Sequence, residues 1–379
     1  MKALGIYIHV PFCMQKCAYC DFYSLSGRDT RGYSGAIIKQ IKSFRKYMRD
    51  RVIDTVYIGG GTPSMLSAGN ISDILSALRE YANVSNDAEI TIEANPGTLD
   101  GAKLSTYRAA GINRISMGLQ SADDEELFML SRIHTRAEFE NSFLLARMEG
   151  FDNINVDIMY GLPYQTEKKL SGTIDYVTQM SPEHISFYGL KIEENTPFGR
   201  RPNIEQVLPN EDTQVNMYLD SCAALEKNGY KQYEISNFAR SGHECRHNIK
   251  YWRSREYLGF GPAAYSLFMH RIFSYKKDID LFMSDPTDMR ALLDENHEIS
   301  EKELASQYVM LSFRLSDGVS IREYSERFND DFDKRYLEKM KPFMEKQFIV
   351  KTDDGYRLSR DGMLVSNLIL SEILDFDDN

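Results

Sequence analysis

Apolar and polar positions alternate along the first half of this chain in two rhythms. Short apolar or β-branched runs at 6–10, 55–58, 90–94, 114–117, 155–159 and 184–188 have the length and composition of strands. Amphipathic stretches at 33–48, 71–81, 104–109, 136–148 and 167–179 have the spacing of helices with one buried face. Strands separated by helices need crossover connections, so the strands are expected to run parallel. The predicted fold class is α/β, a partial (β/α)6 barrel of the TIM type. The loops after the strands' C-terminal ends form the site in such barrels.

The pattern changes from about residue 298. Ser300 followed by Glu303 predicts a capped helix start, and amphipathic helices follow through Leu315, at 321–328 and at 332–346. Pro342 is expected to kink or restart the last of these. Runs at 348–351 and 356–358 flank Asp353-Asp354-Gly355, a hairpin signal, and a final helix is expected over 360–374. Helices with a small hairpin resemble a winged-helix module, and a lid or partner-docking role is expected of it. The predicted organisation is a barrel over 1–235, a connecting region over 236–297 and a winged-helix-like domain over 298–379.

Composition narrows the class. Of 379 residues, 42% are hydrophobic, enough to bury a sizeable core. No run approaches a membrane span, and residues 1–5 lead into a strand without the apolar core of a signal peptide. Five cysteines, three of them clustered, do not make a disulfide framework, so a reducing, cytoplasmic setting is expected. The net charge of −11 argues against a general nucleic-acid binder. Acidic residues around Asn329-Asp330-Asp331-Phe332-Asp333 and in the tail 375–379 argue against DNA binding by the last domain.

The sharpest chemical signal follows the first predicted strand: Cys13, Cys17 and Cys20, spaced C-x3-C-x2-C. A structural zinc site needs four protein ligands, whereas a 4Fe–4S cluster held by three thiolates leaves one iron open. Further rim loops carry polar groups. Gly59-Gly60-Gly61-Thr62-Pro63 lets backbone approach a ligand, although a tight turn needs the same residues. Glu93, Gln120 and Asp157 sit at or near successive strand ends, and a carboxylate inside an apolar strand needs a partner.

Tyr7-Ile8-His9-Val10-Pro11-Phe12-Cys13, the glycine loop and the stretch from Asn155 to Pro163 resemble the HemN/HemW branch of the radical S-adenosylmethionine (SAM) proteins. The resemblance implies that Cys13, Cys17 and Cys20 hold a 4Fe–4S cluster, with Tyr7 and Tyr19 lining the cluster and SAM. It implies that Gly60, Gly61 and Thr62 hold the methionyl end of SAM, that Glu93 and Arg132 meet its amino and carboxylate groups, and that Gln120 and Asp157 bond the ribose. A guanidinium fork suits a carboxylate. The oxidase side of the branch carries a further cysteine where this chain has Phe22, and extends further before its first strand. Both departures weigh against coproporphyrinogen III oxidation, the alternative function.

The heme-chaperone side shares Phe22 and a motif H-N-x-x-Y-W, present here as His247-Asn248-Ile249-Lys250-Tyr251-Trp252. It implies heme binding by His247, Asn248, Tyr251 and Trp252, since a histidine can ligate iron and aromatic rings pack on a porphyrin. The hexapeptide bracing the joint between domains is the other reading, and His243 and Cys245 are alternative ligands. Tyr265 stands where many members have histidine. The resemblance implies as partners heme, a heme-accepting apoprotein such as a membrane respiratory enzyme (with peripheral contact at the membrane), and a second copy in a homodimer; no nucleic acid is expected.

Overall fold

A computed structural model describes residues 1–374, so the acidic tail 375–379 named above lies outside the described residues. Six strands, β1 (Lys2–Val10), β2 (Arg51–Gly60), β3 (Val84–Ala94), β4 (Arg114–Gln120), β5 (Ile154–Tyr160) and β6 (His184–Gly189), pair side by side in parallel in that order. Helices cross over between them: α1 (Tyr33–Met48), α2 (Ala68–Tyr81), α3 (Gly101–Ala109), α4 (Asp124–Met129), α5 (Arg136–Met148) and α6 (Glu167–Met180). This is the expected partial barrel.

Each strand carries a period of two. Val56 and Ile58, Ile90 and Ile92, Ile115 and Met117, and Val156 and Ile158 are buried in the main apolar core, which the crossover helices share. The alternate positions are polar: Thr55 and Tyr57, Glu89 and Glu93, Arg114 and Ser116, Asn155 and Asp157. Helix starts follow local chemistry. Thr135 and Glu138 form a reciprocal capping box at α5, and Ser67, Asp100, Asp123 and Thr166 accept backbone N–H groups at the starts of α2, α3, α4 and α6.

The stretch expected as a connecting region contributes strands to the same sheet. After α7 (Glu211–Lys227), β7 (Lys231–Glu234), at the end of the expected barrel, and β8 (Asn237–Ala239) extend it antiparallel beyond β6, and α8 (Arg246–Trp252) follows. On the other edge β9 (Tyr257–Phe260) pairs parallel with β1, and β10 (Tyr265–Phe268), β11 (Arg271–Tyr275) and β12 (Leu293–Glu298) follow antiparallel. Among the described residues the sheet has twelve strands, ordered β12-β11-β10-β9-β1-β2-β3-β4-β5-β6-β8-β7. These short strands lie beyond the repeating βα pattern, which is why periodicity alone missed them.

The C-terminal part has its own core, built on Tyr308, Tyr324, Phe332, Tyr336 and Tyr356. A three-stranded antiparallel sheet of Val319–Ser320, Gly355–Leu358 and Ile349–Lys351 packs with helices, as a winged-helix-like module would. Its first helix, α9 (Glu301–Ser312), begins with the expected Ser300–Glu303 capping box. Two details differ from expectation. The helix Phe332–Glu345 continues through Pro342, because only its last turn loses a backbone hydrogen bond there. The final helix divides into Arg360–Leu364 and Ser366–Ile373 at Val365, whose φ of −111° is not helical. Arginines tie this part to the barrel side: Arg253 to Asp317 at 2.6 Å and Arg255 to Glu323 at 2.7 Å. No helix among the described residues is long and apolar enough to cross a membrane.

Candidate functional site

The cysteine loop follows β1 and closes over the C-terminal ends of the strands, where it borders a cavity of about 390 Å³. Cys13, Cys17 and Cys20 line it together, half-buried and unpaired as disulfides. Cys222 and Cys245 are instead fully buried in packed structure. Burial raises the pKa of the Cys13 and Cys20 thiols. A protein environment that disfavours isolated thiolates is overcome by a metal, whose charge deprotonates a coordinating thiol. No three His, Cys, Asp or Glu side chains among the described residues converge on one ion. Thiols spread around a cavity wall suit a multi-iron cluster, in which each thiolate binds its own iron.

Behind the cysteines the glycine loop forms a cradle. Gly60 has a φ of +116°, and a Cβ there would lie 2.6 Å from the His9 ring. A Cβ at Gly61 would lie 2.7 Å from the Phe12 carbonyl oxygen and 3.1 Å from Cys13 Sγ. Only glycine lets the backbone pass so close to the cysteine loop. The Thr62 hydroxyl reaches Cys13 Sγ at 3.5 Å and accepts from Asn95 Nδ2 at 2.9 Å.

Charged groups face one another across this space. The Glu93 carboxylate accepts from the Gly60 backbone N–H at 3.0 Å and the Tyr57 hydroxyl at 2.9 Å. Burial, with the Asp157 carboxylate nearby, pushes its pKa up to about 7. Burial raises Asp157 as well, opposed by hydrogen bonds from Ser186 and Asn155; the Asn155 bond is 2.6 Å. Arg132 donates to Asn95 Oδ1 and to the Gly118 carbonyl, each at 2.7 Å, and approaches Cys17 Sγ at 3.4 Å. Gln120 Oε1 and Arg132 Nε are among the buried polar atoms on the cavity wall that lack a protein partner. Orphaned buried groups are costly unless a ligand satisfies them. A cradle without Cβ atoms, a carboxylate and a guanidinium match the amino-acid end of a ligand such as SAM, and Asp157 with Gln120 matches a ribose.

A second cavity, of about 710 Å³, adjoins the first and shares Tyr19, Phe22 and Tyr188 with it. Tyr7 lines this second cavity rather than the first. So do Tyr251, Tyr257 and Tyr265, together with Gln307 and Leu311 from α9. The expected heme motif forms a helix, α8 (Arg246–Trp252), and its members separate. Asn248 lines the first cavity and Tyr251 the second. Trp252 lines neither. His247 also lines neither: it is 1% exposed, and both ring nitrogens are engaged, by Thr55 Oγ1 and the Tyr251 hydroxyl, each at 2.8 Å. Burial lowers its pKa to about 3, so the ring is neutral. Cys245 is equally enclosed, and burial pushes its thiol up to about 12.

Sequence reading missed Asn95, which holds both Thr62 and Arg132, and the wall residues Tyr57, Ser116, Gly118, Ser186 and Tyr188. The polar half of each strand's alternation carried the signal, since Tyr57, Ser116, Ser186 and Tyr188 share the face of the residues that were found.

Comparison with known proteins agrees with this geometry. Residues 7–177 match the Radical SAM superfamily, and residues 299–365 match the HemN C-terminal domain. The heme chaperone HemW of Buchnera aphidicola (subsp. Schizaphis graminum) is 34% identical over 99% of both chains. HemW of Bacillus subtilis is 32% identical over 97% of this chain and 98% of its own, and HemW of Escherichia coli 40% identical over 70% of each. The solved structure of coproporphyrinogen III oxidase (HemN) from Escherichia coli superposes with a TM-score of 0.86 over 99% of this chain and 91% of its own. At 22% identity that likeness is one of fold.

Proposed function

The chain belongs to the HemW heme chaperone family, and from that membership we propose that it binds heme and delivers it to a heme-dependent apoprotein, on a radical SAM barrel carrying a 4Fe–4S cluster and SAM. The observation that carries the reading is relatedness of 32–34% to heme chaperones along nearly the whole of both chains. Phe22 supports it against the oxidase alternative. Its ring is 69% exposed and borders both cavities, at the position where the oxidase motif has a further cysteine.

In this reading Cys13, Cys17 and Cys20 hold the cluster, which when bound leaves one iron for SAM and supplies it with an electron. Gly60, Gly61 and Thr62 pass backbone along the methionyl chain. Glu93 takes the ammonium and Arg132 the carboxylate; Gln120 and Asp157 take the ribose hydroxyls, and Tyr19 covers the pair. The acceptor is a heme-dependent apoprotein such as a respiratory enzyme.

The test is anaerobic reconstitution with iron and sulfide, followed by hemin titration and, separately, incubation with coproporphyrinogen III, SAM and reductant. Stoichiometric hemin binding that passes to an apo-acceptor, without protoporphyrinogen formation, is expected. Turnover of coproporphyrinogen would replace the chaperone with an oxidase.

Glu93 makes a further expectation. Its pKa of about 7 in the free site means that ammonium binding must draw off a proton at lower pH. SAM affinity should therefore be full above pH 7 and fall about tenfold per unit below it. Equilibrium binding between pH 5.5 and 8.5 measures this, and Glu93→Gln should bind weakly with a flat profile. A wild-type profile that stays flat would remove Glu93 from the ammonium site.

A further inference from the structure

We infer that heme occupies the aromatic cavity between the barrel mouth and α9, and that His247 acts on it only as a positioning residue, through Tyr251. The inference rests on the heme-chaperone reading and adds the site.

The cavity has the chemistry of a porphyrin pocket. Tyr188, Tyr251, Tyr257 and Tyr265 offer aromatic walls, and Leu311 closes the side toward the C-terminal domain. At about 710 Å³ it falls within the roughly 300–1,000 Å³ range of ligand pockets. Flat conjugated ligands gain most from such walls. Lys277, exposed at the rim, suits a propionate, and Lys191 stands on the rim paired with Glu193.

His247 cannot reach a ligand there without giving up both of its hydrogen bonds. Its imidazole stacks on Tyr57 with ring centroids 5.4 Å apart, and a Cβ added at Gly5 would sit 3.3 Å from it, so the ring is packed on several sides. What it presents to the cavity is Tyr251, whose hydroxyl it holds at 2.8 Å and whose ring meets Tyr257 edge-on at 4.6 Å. His9, the one histidine on the wall among the described residues, is also engaged at both nitrogens, by the Tyr7 hydroxyl and the Tyr23 carbonyl, each at 2.9 Å. Iron in this cavity therefore has no free imidazole.

The test is hemin titration of the reconstituted full chain, read by absorbance and by electron paramagnetic resonance. The wild type should bind hemin without the signature of an imidazole ligand. His247→Ala and Tyr251→Phe should each weaken binding about three- to tenfold. The double variant should be no weaker than the worse single one, because both remove the same bond. His247→Gln, which can still reach the Tyr251 hydroxyl, should recover most of the loss with an unchanged iron spectrum. Leu311→Trp should weaken hemin at least tenfold while iron content and SAM binding stay intact. Lys277→Glu, at an exposed position where folding is not at stake, should weaken hemin about threefold or more but leave its dimethyl ester unaffected. An imidazole signature lost equally in His247→Ala and His247→Gln, with Tyr251→Phe unchanged, overturns the positioning role. Wild-type affinity in both Leu311→Trp and Lys277→Glu overturns the location. Failure of the wild type to bind hemin at all would sink the chaperone reading itself.

Discussion

Replacing Cys17 with Ala is expected to remove the bound iron and its visible absorbance completely. Three thiolates around the first cavity leave no spare ligand, so a cluster deprived of one has no protein substitute. Cys17 sits in a loop, half-buried, with the Arg132 guanidinium at 3.4 Å from its Sγ and no place in the packed core, so the barrel should keep its fold. Cys245→Ala is the contrast: that thiol lies in the barrel interior, raised by burial, and its loss should leave the iron untouched. Iron and sulfide assays on both variants after anaerobic reconstitution measure this. Full iron content in Cys17→Ala would refute the three-thiolate assignment.

Replacing Glu89 with Ala is expected to destabilise the barrel by about 3–5 kcal/mol, the usual cost of stripping one partner from a buried charge cluster. Glu89 is 6% exposed and accepts the backbone N–H groups of Arg246 and His247, each at 3.0 Å. It thus caps the first turn of α8 from inside the barrel. It also lies near Arg114, which is 1% exposed; burial disfavours that charge, and the Glu89 carboxylate is among the neighbours that offset it. Removing the carboxylate leaves the helix start uncapped and takes away a negative charge that offsets the buried guanidinium. The urea midpoint of the cluster-free protein should fall by about 1 M or more. The double substitution Glu89→Leu with Arg114→Met should recover much of the loss, because no buried charge is then left alone. A single variant as stable as the wild type would show that α8 does not depend on Glu89.

The two substitutions touch residues of opposite legibility. The cysteine spacing is local, lying within eight residues of loop, and its chemistry needs no neighbour to be recognised. Glu89 looks like one more polar position in an alternating strand, and its role exists only because a helix more than 150 residues later packs its N-terminus there. The same division explains Asn95. It follows Glu93 in an ordinary turn, and only the folded loops bring it to Thr62 and Arg132.

The H-N-x-x-Y-W motif shows how a correct local signal can leave roles open. The hexapeptide forms one short helix, as six contiguous residues with no proline or glycine can. Helical geometry then points neighbouring side chains in different directions, so Asn248 and Tyr251 face two cavities while His247 turns into the barrel wall. No spacing rule predicts which face the barrel will cover.

From the sequence alone came the parallel βα order, the three-thiolate loop after the first strand, and the polar residues at successive strand ends. These rest on periodicity and short-range spacing, which are properties of the chain itself. The tertiary structure alone decided that the stretch after 236 extends the sheet, that Glu89 and Arg114 share the barrel interior with α8, and that a second aromatic cavity opens against α9. Each of these depends on contacts between residues far apart in sequence. Such contacts are set by how distant segments pack together in the folded chain, not by any local preference.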